Sequence, residues 1–291
     1  VEQQDQSERP SMFQSPSMRI WLLIALNFGC TGIFLLLSRI PSLEWLGSNA
    51  ESGFASWYGK LSAGLFSILV FGLPIVIFTN AIIAERFSWF RLNHRVKPTV
   101  LIMGVLAMLT SVFFIDFLYS LNKKYFTDPS AQEAMKAIEA NSMWLLEMND
   151  IGALLLCLLM QAFVPALVEE LFFRAGVQQL AVQWMRKPHV AILLSAAFFS
   201  FMHFDGTGFL ARFILGAMLG YMFYWTGSLR INVLAHFAFN AFSVIDAYVR
   251  QHAPDSVMAQ TQTTPVLAVI SAVVATGAFV TVFMLSRKRV V

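Results

Sequence analysis

The sequence predicts an all-α, polytopic membrane protein of about eight transmembrane helices with both termini cytoplasmic. Three observations carry that expectation. Of the 291 residues, 57% are hydrophobic and only 13% charged, against roughly 25% charged in soluble domains. The apolar residues fall into runs near the ~20 residues that a bilayer span needs. The basic residues sit in short clusters between those runs, on alternate connections.

The first span is expected over residues 20–38, followed by a polar loop to about Lys60. The second covers 61–84, with Pro74 inside it as a kink. The stretch ERFSWFRLNHRVKP at 85–98 carries Arg86, Arg91, Arg95 and Lys97 and is the strongest cytoplasmic marker. Residues 100–121 form the third span. The connection 122–150 holds AQEAMKAIEANSMWLLEM, whose apolar residues recur every three or four positions. It predicts either an amphipathic helix at the opposite surface or an ordinary packed surface helix. The fourth span runs from 151 to about 171, is interrupted by Pro165, and extends as a helix toward Met185. The fifth (190–204) and seventh (231–245) are short. The sixth covers 209–225 and the eighth 266–286, closed by Arg287, Lys288 and Arg289.

With loop 85–98 inside, Arg19, Arg186, Lys187, Arg230 and residues 287–289 also fall inside. The far side receives Arg39, Lys60, Lys123, Lys124, Lys136 and Arg250, diluted by acidic residues such as Glu44, Asp128, Glu139 and Asp150. A net charge of +3 spread this way sets topology and does not suggest nucleic acid. Cys30 and Cys157 lie in apolar runs without CxxC spacing, so neither a disulfide framework nor a thiolate metal site is expected. The polar, acidic start is unlike a signal peptide and predicts a flexible cytoplasmic tail over 1–18. Residues 19–289 are expected to form one transmembrane domain.

Charges inside the apolar runs need a reason, because each costs at least ~2.5 kcal/mol at a helix centre. The segment VEELFFRAGV, Val168 to Val177, brings Glu169, Glu170 and Arg174 to the end of span four. Glu170 and Arg174 are four apart and share a face, while Glu169 points about 100° away. One carboxylate is thereby neutralised and the other left free, unless the three merely form a solvated helix end. Phe199 and His203 are likewise four apart, so the ring can wall off one side of the imidazole. His236 and Asn240 give a third such pair on an apolar helix, as site residues or as interhelical glue.

Together, EExxxR at 169–174, FxxxH at 199–203 and HxxxN at 236–240 resemble the CAAX protease and bacteriocin-processing family, also called CPBP or Abi. The resemblance centres on residues 150–245, and the eight-span plan extends it over most of the chain. It implies an intramembrane endopeptidase in which Glu169 is the general base and His203 holds and polarises the same water. His236 and Asn240 would donate to the oxyanion, while Glu170 and Arg174 fix the helix and orient Glu169. The division is physically reasonable, since a desolvated carboxylate is a stronger base than a hydrated one. No cofactor is favoured. Zinc held by Glu169, His203 and His236 is the alternative, because two histidines and a carboxylate form a recognised catalytic set. Against it, HExxH spacing is absent and Asn240 is a poor zinc ligand.

The resemblance also implies a hydrophobic or prenylated peptide or membrane-protein substrate entering from the bilayer. The absence of a eukaryotic-style targeting segment suggests a prokaryotic inner membrane. Two other classes stay open: an ion-coupled transporter, since intramembrane Glu, His and Asn also mark ion routes, and a non-catalytic immunity or scaffold protein. One count fits awkwardly. Glu169 lies 17 residues before Arg186 and His203 lies 16 after Lys187, whereas His236 is only 6 after Arg230. At about 1.5 Å per residue, a single site requires that residues 175–189 lie in the membrane interface or that helix five be tilted or start later. The former is expected.

Overall fold

A computed structural model describes residues 15–37, 53–83, 86–133, 136 and 146–286. The tail 1–14, most of the expected amphipathic helix at 131–148, and the basic cluster 287–289 lie outside the described residues. The described residues form helices and connections, with no strand among them. Each of the eight apolar runs falls on a helix. We number these α1 (Pro16–Leu37), α2 (residues 53–82), α3 (Pro98–Tyr125), α4 (Ile151–Met185), α5 (Pro188–Phe201), α6 (Phe209–Thr226), α7 (Leu229–His252) and α8 (Pro265–Ser286).

Six stretches are long and apolar enough to cross a bilayer: α1, α2, α3, α4, α6 with its preceding turn, and α8. The chain is therefore a multi-pass membrane protein. The other two helices differ for separate reasons. The apolar α5 has only 14 residues, and α7 carries Arg230, Asp246 and Arg250 along its 24.

The helix starts follow capping chemistry. Residues 16–18, expected in the flexible tail, form the first turn of α1, where Ser15 accepts from Met18 N at 3.2 Å and Pro16 occupies a position that needs no N–H donor. Asp150 caps α4 by accepting from Ala153 N at 2.8 Å. Lys60, expected at the end of a loop, instead lies buried within α2, in the field of the Glu147 and Asp150 carboxylates. The aromatic segment GFASWYGK extends that helix back to Gly53.

The prolines meet an unexpected device. Pro74 and Pro165 each stand just beyond a stretch of π-helix, at Ile68–Gly72 and Leu158–Phe163. A proline ring collides with the carbonyl four residues back in a regular α-helix, and a wider turn is a recognised way to absorb such a break. A third π stretch, Leu171–Gln178, follows Glu170 directly.

The long α4 packs against α1, α2, α5, α6 and α7, and α8 closes the bundle against α3 and α6. Polar groups stitch the crossings. Asn27 of α1 donates to Val70 O in the first π stretch at 2.6 Å. Ser271 of α8 bridges the break in α3, donating to Thr110 O at 2.5 Å and accepting from Phe114 N at 3.0 Å. Gly216 lets α6 approach α5 so closely that a Cβ there would meet Ala196 Cα at 3.2 Å, the small-residue contact expected of membrane helices.

Residues 175–185, expected to lie along the membrane interface, continue α4 without a break. Ala175, Gly176, Val177, Gln178, Leu180 and Ala181 are buried inside the bundle. The α4 and α5 helices run back on themselves at residues 186–187, and despite its shorter distance from Arg230 in sequence, His236 of α7 lies 3.0 Å from Glu170 and 3.9 Å from Glu169.

Candidate functional site

The centre of the bundle holds a buried charge cluster on α4. Glu170 is completely enclosed, and its Oε2 lies 3.2 Å from Arg174 Nε one turn on. The pair shares a face as the four-residue spacing requires. Three other helices complete the enclosure. Asn232 of α7 donates to Glu170 Oε2 at 3.0 Å and to Leu219 O of α6 at 2.7 Å. His236 Nδ1 lies 3.0 Å from Glu170 Oε1, so the carboxylate accepts the Nδ1–H. Arg174 donates to Gly216 O at 3.2 Å and stacks over the Phe199 ring at 5.1 Å.

Glu169 has a different environment. It lines a cavity of about 330 Å³ together with His203. Apolar walls from Phe66, Phe71, Met160 and Phe204 enclose the same space. Glu169 Oε2 lies 3.9 Å from His236 Nε2, a contact too long to be a hydrogen bond and short enough for charge to be felt.

His203 sits just past the end of α5, in a turn whose shape is held from several sides. Its Nδ1 lies 2.9 Å from Phe199 O, so that nitrogen donates and Nε2 is left as an acceptor. The next residue, Phe204, takes a left-handed backbone at φ 51°, a costly conformation for a bulky side chain that surrounding contacts must enforce. Those contacts are visible. Asn122 of α3 donates to Gly206 O and Thr207 O at 2.7 and 2.9 Å and accepts from Leu210 N at 3.1 Å. Asp205 accepts from Thr207 N and pairs with Arg212 at 2.8 Å.

Phe199 ties the halves together. Its ring centroid is 5.0 Å from that of His203 and 6.0 Å from that of His236, edge-on to each. Arg174, His203 and His236 therefore meet around one aromatic ring. Asn240 lies one turn beyond His236 and donates to Ala162 O at 3.5 Å, within the π stretch that precedes Pro165. Glu170 and Arg174, expected to orient Glu169, make their direct polar contacts with His236, Asn232 and Gly216 O instead.

Among the described residues, no group of three or more His, Cys, Asp or Glu side chains is spaced to hold a metal. Asn232 and Asn122 were not foreseen from sequence. The only available signal for Asn232 was a polar residue four positions before His236 on the same apolar face.

Residues 151–242 match the family model described as type II CAAX prenyl endopeptidase Rce1-like. No curated protein and no solved structure matches the chain. The segment that carries Glu169, Glu170, Arg174, His203, His236 and Asn240 is therefore similar to the Rce1-like CAAX endopeptidases, in agreement with the family that the three motifs resemble, and this similarity supports protease activity in general terms.

Proposed function

We propose that the protein is an intramembrane endopeptidase that splits a peptide bond with a water activated by Glu169 and His203, the resulting oxyanion being held by His236 and Asn240. The observation that carries this is the split between two neighbouring carboxylates. Glu170 is consumed by Arg174, Asn232 and His236, while Glu169 stays uncommitted on a cavity that it shares with an imidazole acceptor.

In this mechanism Glu169 takes one proton of the water as its oxygen adds to the carbonyl carbon, and His203 Nε2 accepts the hydrogen bond of the other. The carbonyl electrons move to oxygen, which receives hydrogen bonds from Asn240 Nδ2 and His236 Nε2. His236 already donates from Nδ1 to Glu170, so donation from Nε2 requires its imidazolium form. Collapse of the tetrahedral centre breaks the C–N bond, and the amine leaves with the proton stored on Glu169. The products are a free carboxylic acid and a free amine.

The apolar walls of the cavity suit a hydrophobic or prenylated peptide, or a membrane-protein segment, arriving laterally from lipid. A prokaryotic inner membrane is the setting we infer. The test uses purified full-length protein in liposomes with a prenylated fluorogenic peptide, and mass spectrometry of new termini. Wild type should cut and Glu169→Gln should not. Cleavage that persists in Glu169→Gln, or that tracks one equivalent of bound zinc and disappears with a chelator, overturns the mechanism. Solute flux without new peptide termini would instead indicate a transporter.

A further inference from the structure

Pro165 opens a gap in the hydrogen bonding of α4, on the wall of the cavity that Glu169 shares with His203. In a helix each carbonyl points along the axis at an N–H four residues on, or five in a π turn. For Met160 those donors would be Val164 and Pro165. The Val164 N–H is taken by Leu159 O, and proline has no N–H. The Met160 carbonyl is left without either partner. Resting on the protease reading above, we propose that this carbonyl accepts a hydrogen bond from a backbone N–H of the peptide substrate and holds that peptide extended beside Glu169.

Position is the first reason. Met160, Pro165 and Glu169 all line the cavity, so both sides of the gap and the water-activating acid share one wall. Asn240 donates to Ala162 O, two residues on in the same π stretch. The oxyanion donor and the freed acceptor thus stand within one helical turn. That spacing suits a peptide whose scissile carbonyl meets Asn240 while a neighbouring N–H meets Met160 O.

The second reason is the contrast with the other proline break. Pro74 also follows a π stretch, and there Asn27 of α1 donates to Val70 O at 2.6 Å. Neighbouring helices ordinarily re-satisfy what a proline frees at membrane depth, and irregular backbone persists where it lines a cavity. Among the described residues no side chain donates to Met160 O, since Asn240 and Gln161 donate to Ala162 O and Cys157 Sγ. The acceptor is open on the side where a substrate would lie.

Rigidity is the third. Gly64 of α2 lies so close that a Cβ there would stand 3.3 Å from Met160 Cα and 3.2 Å from Met160 Cβ. Met160 is thereby pinned against α2, and its carbonyl is set in place before any ligand arrives. The consequence is a selection among substrates. A helical segment already uses its N–H groups internally, so the site takes an extended chain end or an unwound stretch of a membrane segment, held by main-chain hydrogen bonding as an added strand would be.

The test takes the prenylated peptide used above and a series in which one amide at a time, other than the scissile one, is replaced by an ester, deleting a single N–H. At one position the ester should raise KM about tenfold with kcat nearly unchanged, as loss of one hydrogen bond made equally in ground and transition states requires. In Pro165→Ala, which returns an N–H to the gap, amide and ester peptides should share the higher KM. Pro165→Gly should behave alike, and thermal unfolding of both variants reports that the fold survives. The full-length Glu169→Gln protein supplies a second readout, since Kd for the amide and ester peptides, measured by fluorescence anisotropy, should differ by the same ratio without turnover. Equal KM and Kd across the ester series, or an ester penalty that persists in both well-folded Pro165 variants, overturns the inference and leaves the protease reading standing. An intact Kd ratio with no cleavage of the parent peptide by wild type overturns the protease reading instead.

Discussion

Glu169 and Glu170 are adjacent in the chain, identical in chemistry and opposite in circumstance. Glu170 points into a closed network of Arg174, Asn232 and His236, with no accessible surface. Glu169, rotated by about 100° on the same helix, meets a cavity and a single loose imidazole contact at 3.9 Å. The contrast shows how a helix can hold two acids within lipid. One is compensated by Arg174, Asn232 and His236, and that network leaves the other facing the cavity.

The contrast can be broken experimentally. The largest effect is expected at Glu169, where the isosteric change to Gln should lower kcat by roughly 10² to 10⁴-fold, the usual range for a general base. Thermal unfolding in detergent should be unchanged, and parallel losses of rate and stability would erase the distinction between the two acids. At Glu170 the expectation is inverted. Glu170→Ala leaves the buried Arg174 without its counter-charge, which should cost ~3–5 kcal/mol of stability, read as a lowered unfolding temperature and a poor yield of folded protein.

Smaller changes sharpen the picture. Asn240→Ala should reduce kcat by about 10²-fold with KM nearly constant, as for loss of one oxyanion donor. A KM effect alone would make Asn240 a binding residue. Asn232→Ala removes a hydrogen bond to a charged acceptor, worth ~1.5–3 kcal/mol. Its activity loss should come with a lowered unfolding temperature, because Glu170 loses a fixed hydrogen-bond donor, and the conservative Asn232→Gln should not rescue it. The smallest effect belongs to Tyr119→Phe, which deletes a 3.3 Å contact to Thr207 in the loop after His203. It should cost about 1 kcal/mol or less, measured as a slight drop in unfolding temperature.

Much of this could be read from the sequence because lipid imposes simple rules. Each of the eight apolar runs became a helix, since backbone groups in a bilayer must be satisfied within the segment. The Glu170–Arg174 pair followed from spacing alone. Other features were hidden because their causes lie between helices. Asn232 gains its role from Leu219 on α6 and Glu170 on α4, partners that no local pattern reveals. The turn that presents His203 depends on Asn122, more than 80 residues earlier. Residues 175–185 were expected along the interface from the unequal counts between the site residues and the basic turns, yet they continue α4 inside the bundle, where Gln178 donates to Gly220 O.

The π stretch at 171–178 has a genetic corollary. A π turn holds about one residue more than an α turn, so removing a single residue between Phe172 and Val177 would let the segment relax into ordinary helix. Deletions in a rigid helix normally scramble every face beyond them. Here the loss of the wide turn would absorb the lesion, so Gln178 would keep its partner Gly220 O and the damage would stay within the turn that carries Arg174.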